Sequence, residues 1–293
     1  MIYFNDLPTV IDNEIECYAD DSTLSKSGDS IKQISDSLTS DCNSLDKWVK
    51  ENYFKLNTQK THFTVLGTSS KLKKNEETIK VSIEGTELTQ SSQKSEMLLG
   101  IKIQTDLKWN EHIDFLASKL DKRLGALEKL RYIMDRKTRK RIVEGIFNSV
   151  LCYCLPVFGG CSQQDLKSLQ VLQNRAARLV LRAPPRTSRL TMFQKLDWLT
   201  VSQLIAYHTL ITVFRIRKSK EPEGLAHVLS LDSRQGRVIM PNSRHDIYRN
   251  SFIYRGSQLW NSLPSEVREY DKISSFKKRV RDWVKNNVNK FNE

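Results

Sequence analysis

The chain has no run of about 18 or more apolar residues, so nothing in it reads as a membrane span. Its first residues, Met1-Ile2-Tyr3-Phe4-Asn5-Asp6, carry no basic region followed by a long apolar one and do not read as a secretory signal. A disulfide framework is also missing. Five cysteines, Cys17, Cys42, Cys152, Cys154 and Cys161, are odd in number and scattered. That usage fits a reducing compartment, so an intracellular, cytoplasmic or nuclear location is expected. Cys152, Cys154 and Cys161 lack the spacing and the nearby histidine of a zinc site, and ordinary buried thiols are the commoner reading. The five histidines form no compact metal or nuclease motif, and His245 reads as a surface residue. No repeat of 20–50 residues is present.

What is present is charge. Hydrophobic residues make up 39% of the chain and charged residues 28%, enough for a packed core under a heavily charged surface. The net charge is +13, but residues 1–66 hold 6 Lys/Arg against 11 Asp/Glu. The remainder therefore carries 41 Lys/Arg against 23 Asp/Glu. An acidic start and a basic body suit a cation site beside a polyanion-binding surface. A generic lysine-rich surface accounts for the same totals.

The pattern of apolar residues changes along the chain. Ile15-Glu16-Cys17-Tyr18-Ala19 alternates, Asp20-Asp21 interrupts, and Ser22-Thr23-Leu24 resumes, which predicts a β-hairpin with both aspartates at its tip. Ile31, Ile34, Leu38, Leu45 and Trp48 fall at helical spacing, with Asp29 or Ser30 as the cap. Phe63, Val65 and Leu66 read as a strand and Ser69 to Glu77 as a loop. Ile79 to Leu88 reads as a hairpin turning at Glu84-Gly85-Thr86. Met97 to Ile103 reads as a strand in which Gly100 allows close approach. Helices follow. One carries a stripe of Ile113, Leu116, Leu120, Leu124, Leu127 and Leu130. Three more are expected over 136–151, 166–181 and 201–214, with Pro184-Pro185 separating the last two. Residues 219–236 read as a linker, and a terminal helix is expected over 276–291. The expected class is α+β.

The sharpest chemical feature is Asp20-Asp21. Adjacent carboxylates at a turn repel, and a divalent cation relieves that repulsion. Mg²⁺ takes hard oxygen ligands, often one or two carboxylates plus substrate phosphates. An ordinary Asp-Asp turn is the plain alternative.

The context adds a resemblance. Tyr18-Ala19-Asp20-Asp21 between β-type segments resembles the catalytic palm turn of reverse transcriptases. Tyr3-Phe4-Asn5-Asp6-Leu7-Pro8 before it is similar to the Asn-Asp-Leu-Pro segment of non-LTR, jockey-like retrotransposon enzymes. Leu56-Asn57-Thr58-Gln59-Lys60-Thr61 resembles their Leu-Asn-x-x-Lys-Thr motif. Leu98-Leu99-Gly100 resembles the Leu-Gly strand facing the primer. Leu107-Lys108-Trp109-Asn110-Glu111-His112-Ile113 is similar to the entry to the thumb helices. Gln173-Asn174-Arg175-Ala176-Ala177-Arg178 and Trp260-Asn261-Ser262-Leu263-Pro264 resemble segments beyond the thumb.

The resemblance implies a partial palm sheet over 1–105, thumb helices over 106–160 and a helical region over 161–218. A linker over 219–243 and a basic segment over 244–293 complete the expected order. It implies Asp20 as the main metal ligand and Asp21 as the weaker one, with Mg²⁺ as cofactor. Lys60 would sit near the triphosphate, or be a solvated lysine. Tyr18 would pack near the primer end, or be a core tyrosine. Asn57 reads as a turn former. Leu99 and Gly100 would present backbone to the primer. Lys119, Lys122, Arg123, Arg139, Lys140 and Arg141 would grip phosphates of an RNA template and DNA primer. Tyr254 and Trp260 could stack on bases, though Trp260 reads better as a core anchor. In the family a third aspartate lies on an earlier palm strand, upstream of where this chain starts. The expectation is therefore a fragment that does not polymerise alone, or a nucleic-acid-binding remnant, or a decayed copy. An incomplete palm would expose a sheet edge and favour self-association.

Overall fold

The computed structural model describes residues 5–74, 79–229, 231–232, 236–240, 242–243 and 245–287. The chain divides into two compact units, residues 1–96 with 104–107 and residues 97–103 with 108–293.

The first unit is built from small hairpins around one long helix. Strands β1 (Glu14–Tyr18) and β2 (Asp21–Ser25) pair antiparallel, with Tyr18 opposite Asp21. Helix α1 (Ile31–Glu51) starts where the Ser30 side chain accepts from the Gln33 backbone N–H. Strand β3 (His62–Phe63) follows, then α2 (Ser69–Lys74), so the expected loop there begins as a helix. Strands β4 (Ser82–Ile83) and β5 (Thr86–Glu87) turn through Glu84 and Gly85, both at positive φ. Strand β6 (Thr89–Gln90) pairs parallel with β3. Leu7, Trp48 and Val49 form one buried cluster, and Cys42, Val81 and Ile83 another. Leu56 packs against both. The motif residues Leu7 and Leu56 are thus packing residues. Burying a leucine such as Leu7, 1% exposed, contributes about 1.5–3 kcal/mol.

Strands β7 (Ser95–Leu98) and β8 (Ile101–Gln104) form a further hairpin. The single strand expected over Met97–Ile103 is corrected here. Leu99 at φ 47° and Gly100 at φ 83° reverse the chain, as both central residues of a tight turn with positive φ must. Every sheet among the described residues has two strands.

The second unit is helical. Its elements are α3 (Asn110–Lys129), α4 (Arg136–Val143), a π-helical turn (Glu144–Asn148), α5 (Ser149–Leu151), α6 (Leu155–Phe158) and α7 (Gln163–Leu181). Then come α8 (Arg189–Leu196), α9 (Val201–Ser219), α10 (Glu223–Val228), β9 (Leu231–Asp232) and β10 (Arg237–Val238). The chain closes with α11 (Asp246–Arg249), α12 (Phe252–Ser262), α13 (Ser265–Arg268) and α14 (Ile273–Asn286). The expected linker therefore contains α10, β9 and β10, and the last residues of the expected terminal helix lie outside those described.

Helix α9 is apolar on most sides and lies at the centre, which is what a helix without a polar face requires. It packs against α6, α7, α12 and α14. On α3 the stripe from Ile113 to Leu127 is buried, but Leu130 is 47% exposed because the helix ends before it. Two of the C-terminal motifs also explain themselves by packing. Gln173 donates to the Leu199 carbonyl at 2.9 Å, and Arg175 pairs in a two-toothed fashion with Glu128 at 2.7 and 2.8 Å. Trp260 is 1% exposed and donates to the Gly236 carbonyl, while Asn261 exchanges two hydrogen bonds with Val238.

Candidate metal turn and nucleic-acid interface

The Tyr18–Asp21 turn is a two-residue connection made by Ala19 and Asp20. Such turns need positive φ at the first central residue, and Ala19 has φ 55°. Only Asp20 therefore lies in the turn, and Asp21 opens β2, a refinement of the expected tip. Parity decides which way the hairpin faces. Ile15 and Leu24 are opposite each other and pack into the two core clusters. Tyr18 and Asp21, on the other parity, face solvent. Asp20 and Asp21 are exposed, and Tyr18 is 67% exposed, so it is not a core tyrosine.

The hairpin is anchored from α1. Asp41, 1% exposed, accepts from the backbone N–H groups of Asp12 and Asn13 and from the Asn13 side chain. Nothing in composition or periodicity points to this link, because a buried aspartate in a polar stretch of helix looks like a surface residue.

Lys60 is exposed and makes no ion pair with Asp20 or Asp21 among the described residues. Asn57 is a turn former: its carbonyl and side chain accept from Lys60 and Thr61. His62, just after, has Nδ1 3.0 Å from the Lys60 carbonyl and Nε2 3.0 Å from the Glu96 carboxylate. The Lys60 carbonyl, and then Glu96, hold its pKa above the ordinary value against the opposing effect of burial.

Two exposed carboxylates with no third His, Cys, Asp or Glu grouped beside them among the described residues do not make an all-protein metal cage. They do fit Mg²⁺, which keeps several waters and completes its shell with substrate phosphates.

The second unit carries the basic residues. Lys119, Lys122 and Arg141 are exposed, and Lys140 is half-buried beside Glu144 at 3.7 Å. Arg139 is corrected. It is 4% exposed, and its guanidinium donates to the carbonyls of Val180, Arg131 and Met134. It ties helix ends together and has no free face for a phosphate. Leu99 also differs from expectation, since its carbonyl accepts from the Tyr153 hydroxyl at 2.7 Å.

A cavity of about 380 Å³ lies between α3 and the segment following the π-helical turn. Its wall is made by His112, Phe115, Lys119, Arg123, Ser149 and Tyr153, with Gly100 at its edge. Burial, and then Lys102, push His112 down to about 4, so it is neutral near pH 7. Cys152 and Cys161 are pushed up to about 11 and about 12 by burial and stay protonated. The sequence alone gave no sign of the cavity, because its residues come from three separate stretches.

The chain is a relative of the reverse transcriptases of non-LTR retrotransposons, which its motifs resemble, and corresponds to part of one. It is similar to "Probable RNA-directed DNA polymerase from transposon BS" of Drosophila melanogaster, with 27% identity over 210 residues. That match covers 69% of this chain and 22% of the fly protein, so the chain spans about a fifth of its relative's length. No family profile and no solved structure matches the chain.

Proposed function

We propose that this chain is the palm-turn and thumb portion of an RNA-directed DNA polymerase, with Asp20 as the principal metal carboxylate and Asp21 as the second. The observation that carries the reading is a two-residue hairpin that presents both carboxylates to solvent, in a chain similar to a transposon polymerase. Bound Mg²⁺ would neutralise charge on the transferring phosphoryl group. The protein's own part is to hold the two carboxylates side by side and to offer the Lys60 ammonium to substrate phosphate. Lys119, Lys122, Arg123, Lys140 and Arg141 grip the backbone of an RNA template and DNA primer.

The 293 residues alone do not polymerise in this reading, because among the described residues the two carboxylates have no third partner grouped with them. The test uses the whole chain with a labelled RNA–DNA hybrid. Binding is expected to weaken roughly a few hundred-fold between about 50 and 200 mM salt, as five phosphate contacts imply. Salt-independent binding, or none at low salt, would overturn the nucleic-acid reading. Mg²⁺-dependent primer extension by this chain would overturn its inactivity and leave the polymerase assignment stronger.

A further inference from the structure

The turn between α3 and α4 exposes two successive apolar side chains. Tyr132 is 69% exposed and Ile133 is 81% exposed. Two arginines from other elements hold the backbone beneath them. Arg182 Nη2 donates to the carbonyls of Arg131, Tyr132 and Met134 at 2.9, 3.1 and 3.4 Å. Arg139 donates to the carbonyls of Arg131 and Met134. A turn tied at three carbonyls has little freedom left to lose on binding, and that preorganisation favours contact.

A single exposed apolar residue is ordinary. Two in succession, on a held turn rimmed by polar groups, make a contact surface. The rim is positive. The guanidinium groups of Arg131 and Arg182 lie 4.5 and 5.4 Å from the centre of the Tyr132 ring. Arg136 and Lys137 are exposed at the start of α4. Asp135, the carboxylate of this turn, caps α4 by accepting from the Thr138 N–H. Positive charge selects a polyanion, and an aromatic ring among guanidinium groups stacks on the face of a base.

We propose that the α3–α4 turn is a stacking platform for an unpaired nucleotide base, with Tyr132 against the base and Arg131, Lys137 and Arg182 meeting the flanking phosphates. The proposal rests on the nucleic-acid reading above and adds a preference to it. The basic residues of that reading take the phosphates of any strand. Tyr132 takes a base only where the strand leaves one unstacked. Bases inside a continuous hybrid cover each other's faces, so the turn separates a single strand from a hybrid.

The test compares two labelled single strands of RNA of equal length, one intact and one with abasic central nucleotides, on the full chain. Tyr132→Ala should weaken binding of the intact strand by about fivefold or more and leave the abasic strand within twofold. Tyr132→Phe keeps the ring and should stay within twofold on both. Tyr53→Ala, which removes a tyrosine 98% exposed in the first unit, should also stay within twofold. An equal loss on both strands overturns the platform, since the ring would then act without a base. No loss in a chain that still binds an RNA–DNA hybrid in a salt-dependent way overturns the platform and leaves the nucleic-acid reading standing. Tyr132-dependent sedimentation with phosphatidylcholine–phosphatidylserine vesicles, with strand binding unchanged, gives the turn to a lipid surface and overturns the base. A parent chain that binds neither strand nor hybrid at low salt overturns both readings.

Discussion

Asp41, in the middle of α1, holds Asn13 at the entrance to the β1–β2 hairpin. Its Oδ2 accepts from the Asn13 backbone N–H at 3.0 Å and from the side-chain Nδ2 at 2.6 Å. Asn13 Nδ2 also reaches the Ser37 hydroxyl at 2.8 Å, so one amide bridges two turns of the helix. Asp41→Ala removes a charged acceptor from three donors and should lower stability by about 2–3 kcal/mol in chemical denaturation. Asn13→Ala should cost about 1 kcal/mol, and the double variant less than the sum. Strictly additive losses would show that the two residues do not act together.

Ala19 occupies a conformation that favours glycine, with φ 55°. Left-handed backbone costs an L-residue roughly 1–2 kcal/mol, partly offset by the greater freedom glycine loses on folding. Ala19→Gly should therefore stabilise the first unit by up to about 1 kcal/mol, and Ala19→Val should destabilise it. Thermal unfolding of the two variants checks the order. A less stable glycine variant would mean that the turn relaxes in solution.

Arg139 and its neighbours separate structure from binding. Arg139→Met removes hydrogen bonds to three backbone carbonyls, that of Val180 buried and those of Arg131 and Met134 partly so, and should cost about 2–4 kcal/mol. At matched folded fraction its affinity for an RNA–DNA hybrid should stay within twofold of the parent. The Lys140→Gln, Arg141→Gln pair should bind more weakly at little cost in stability. Reversed behaviour, with Arg139 controlling affinity, would restore it to the interface.

Two histidines respond to pH with opposite sign. His62 has its pKa raised in the folded chain, so its stabilisation is full below the unfolded value of about 6.5 and is lost as pH rises through the folded value. Glu96→Gln should flatten that dependence. His112 is pushed down to about 4, so the unfolded chain takes a proton first as pH falls. Stability in the second unit should drop by roughly 3 kcal/mol between pH 6.5 and 4. Hydrogen exchange resolved by residue can follow the two units separately. A first unit indifferent to pH above 6.5 would remove the proposed His62 contribution.

The local patterns were legible where one property decides. Alternation around Cys17 and the period of α3 and α9 gave elements close to those observed. Trp260 was read correctly as a core anchor, since an indole before a Leu-Pro break needs both burial and an acceptor. Apolar alternation predicts one strand over Met97–Ile103 because it does not reveal the reversal that Gly100 and a strained Leu99 make in the middle. Polarity predicts a loop over Ser69 to Glu77, although lysine and serine of this kind also form a short exposed helix, as Ser69–Lys74 does. Arg139 was grouped with its basic neighbours because a run of cations looks uniform in sequence. Helical geometry turns one member inward to the carbonyls of Val180 and Met134.

By itself the sequence determined which residues make the proposed metal turn: side-chain chemistry and spacing are properties of the chain, and Asp20-Asp21 between alternating segments is read directly from them. It also determined the division between an acidic start and a basic body. Only the tertiary structure decided which of those charges are free. Parity in the β1–β2 pair sends Asp21 outward with Tyr18, and the turn of α4 sends Arg139 inward. The packing of α3 against the π-helical turn gathers Lys119, Arg123 and His112 around one cavity. Availability to a ligand depends on what surrounds a group in space, and those neighbours come from distant parts of the chain.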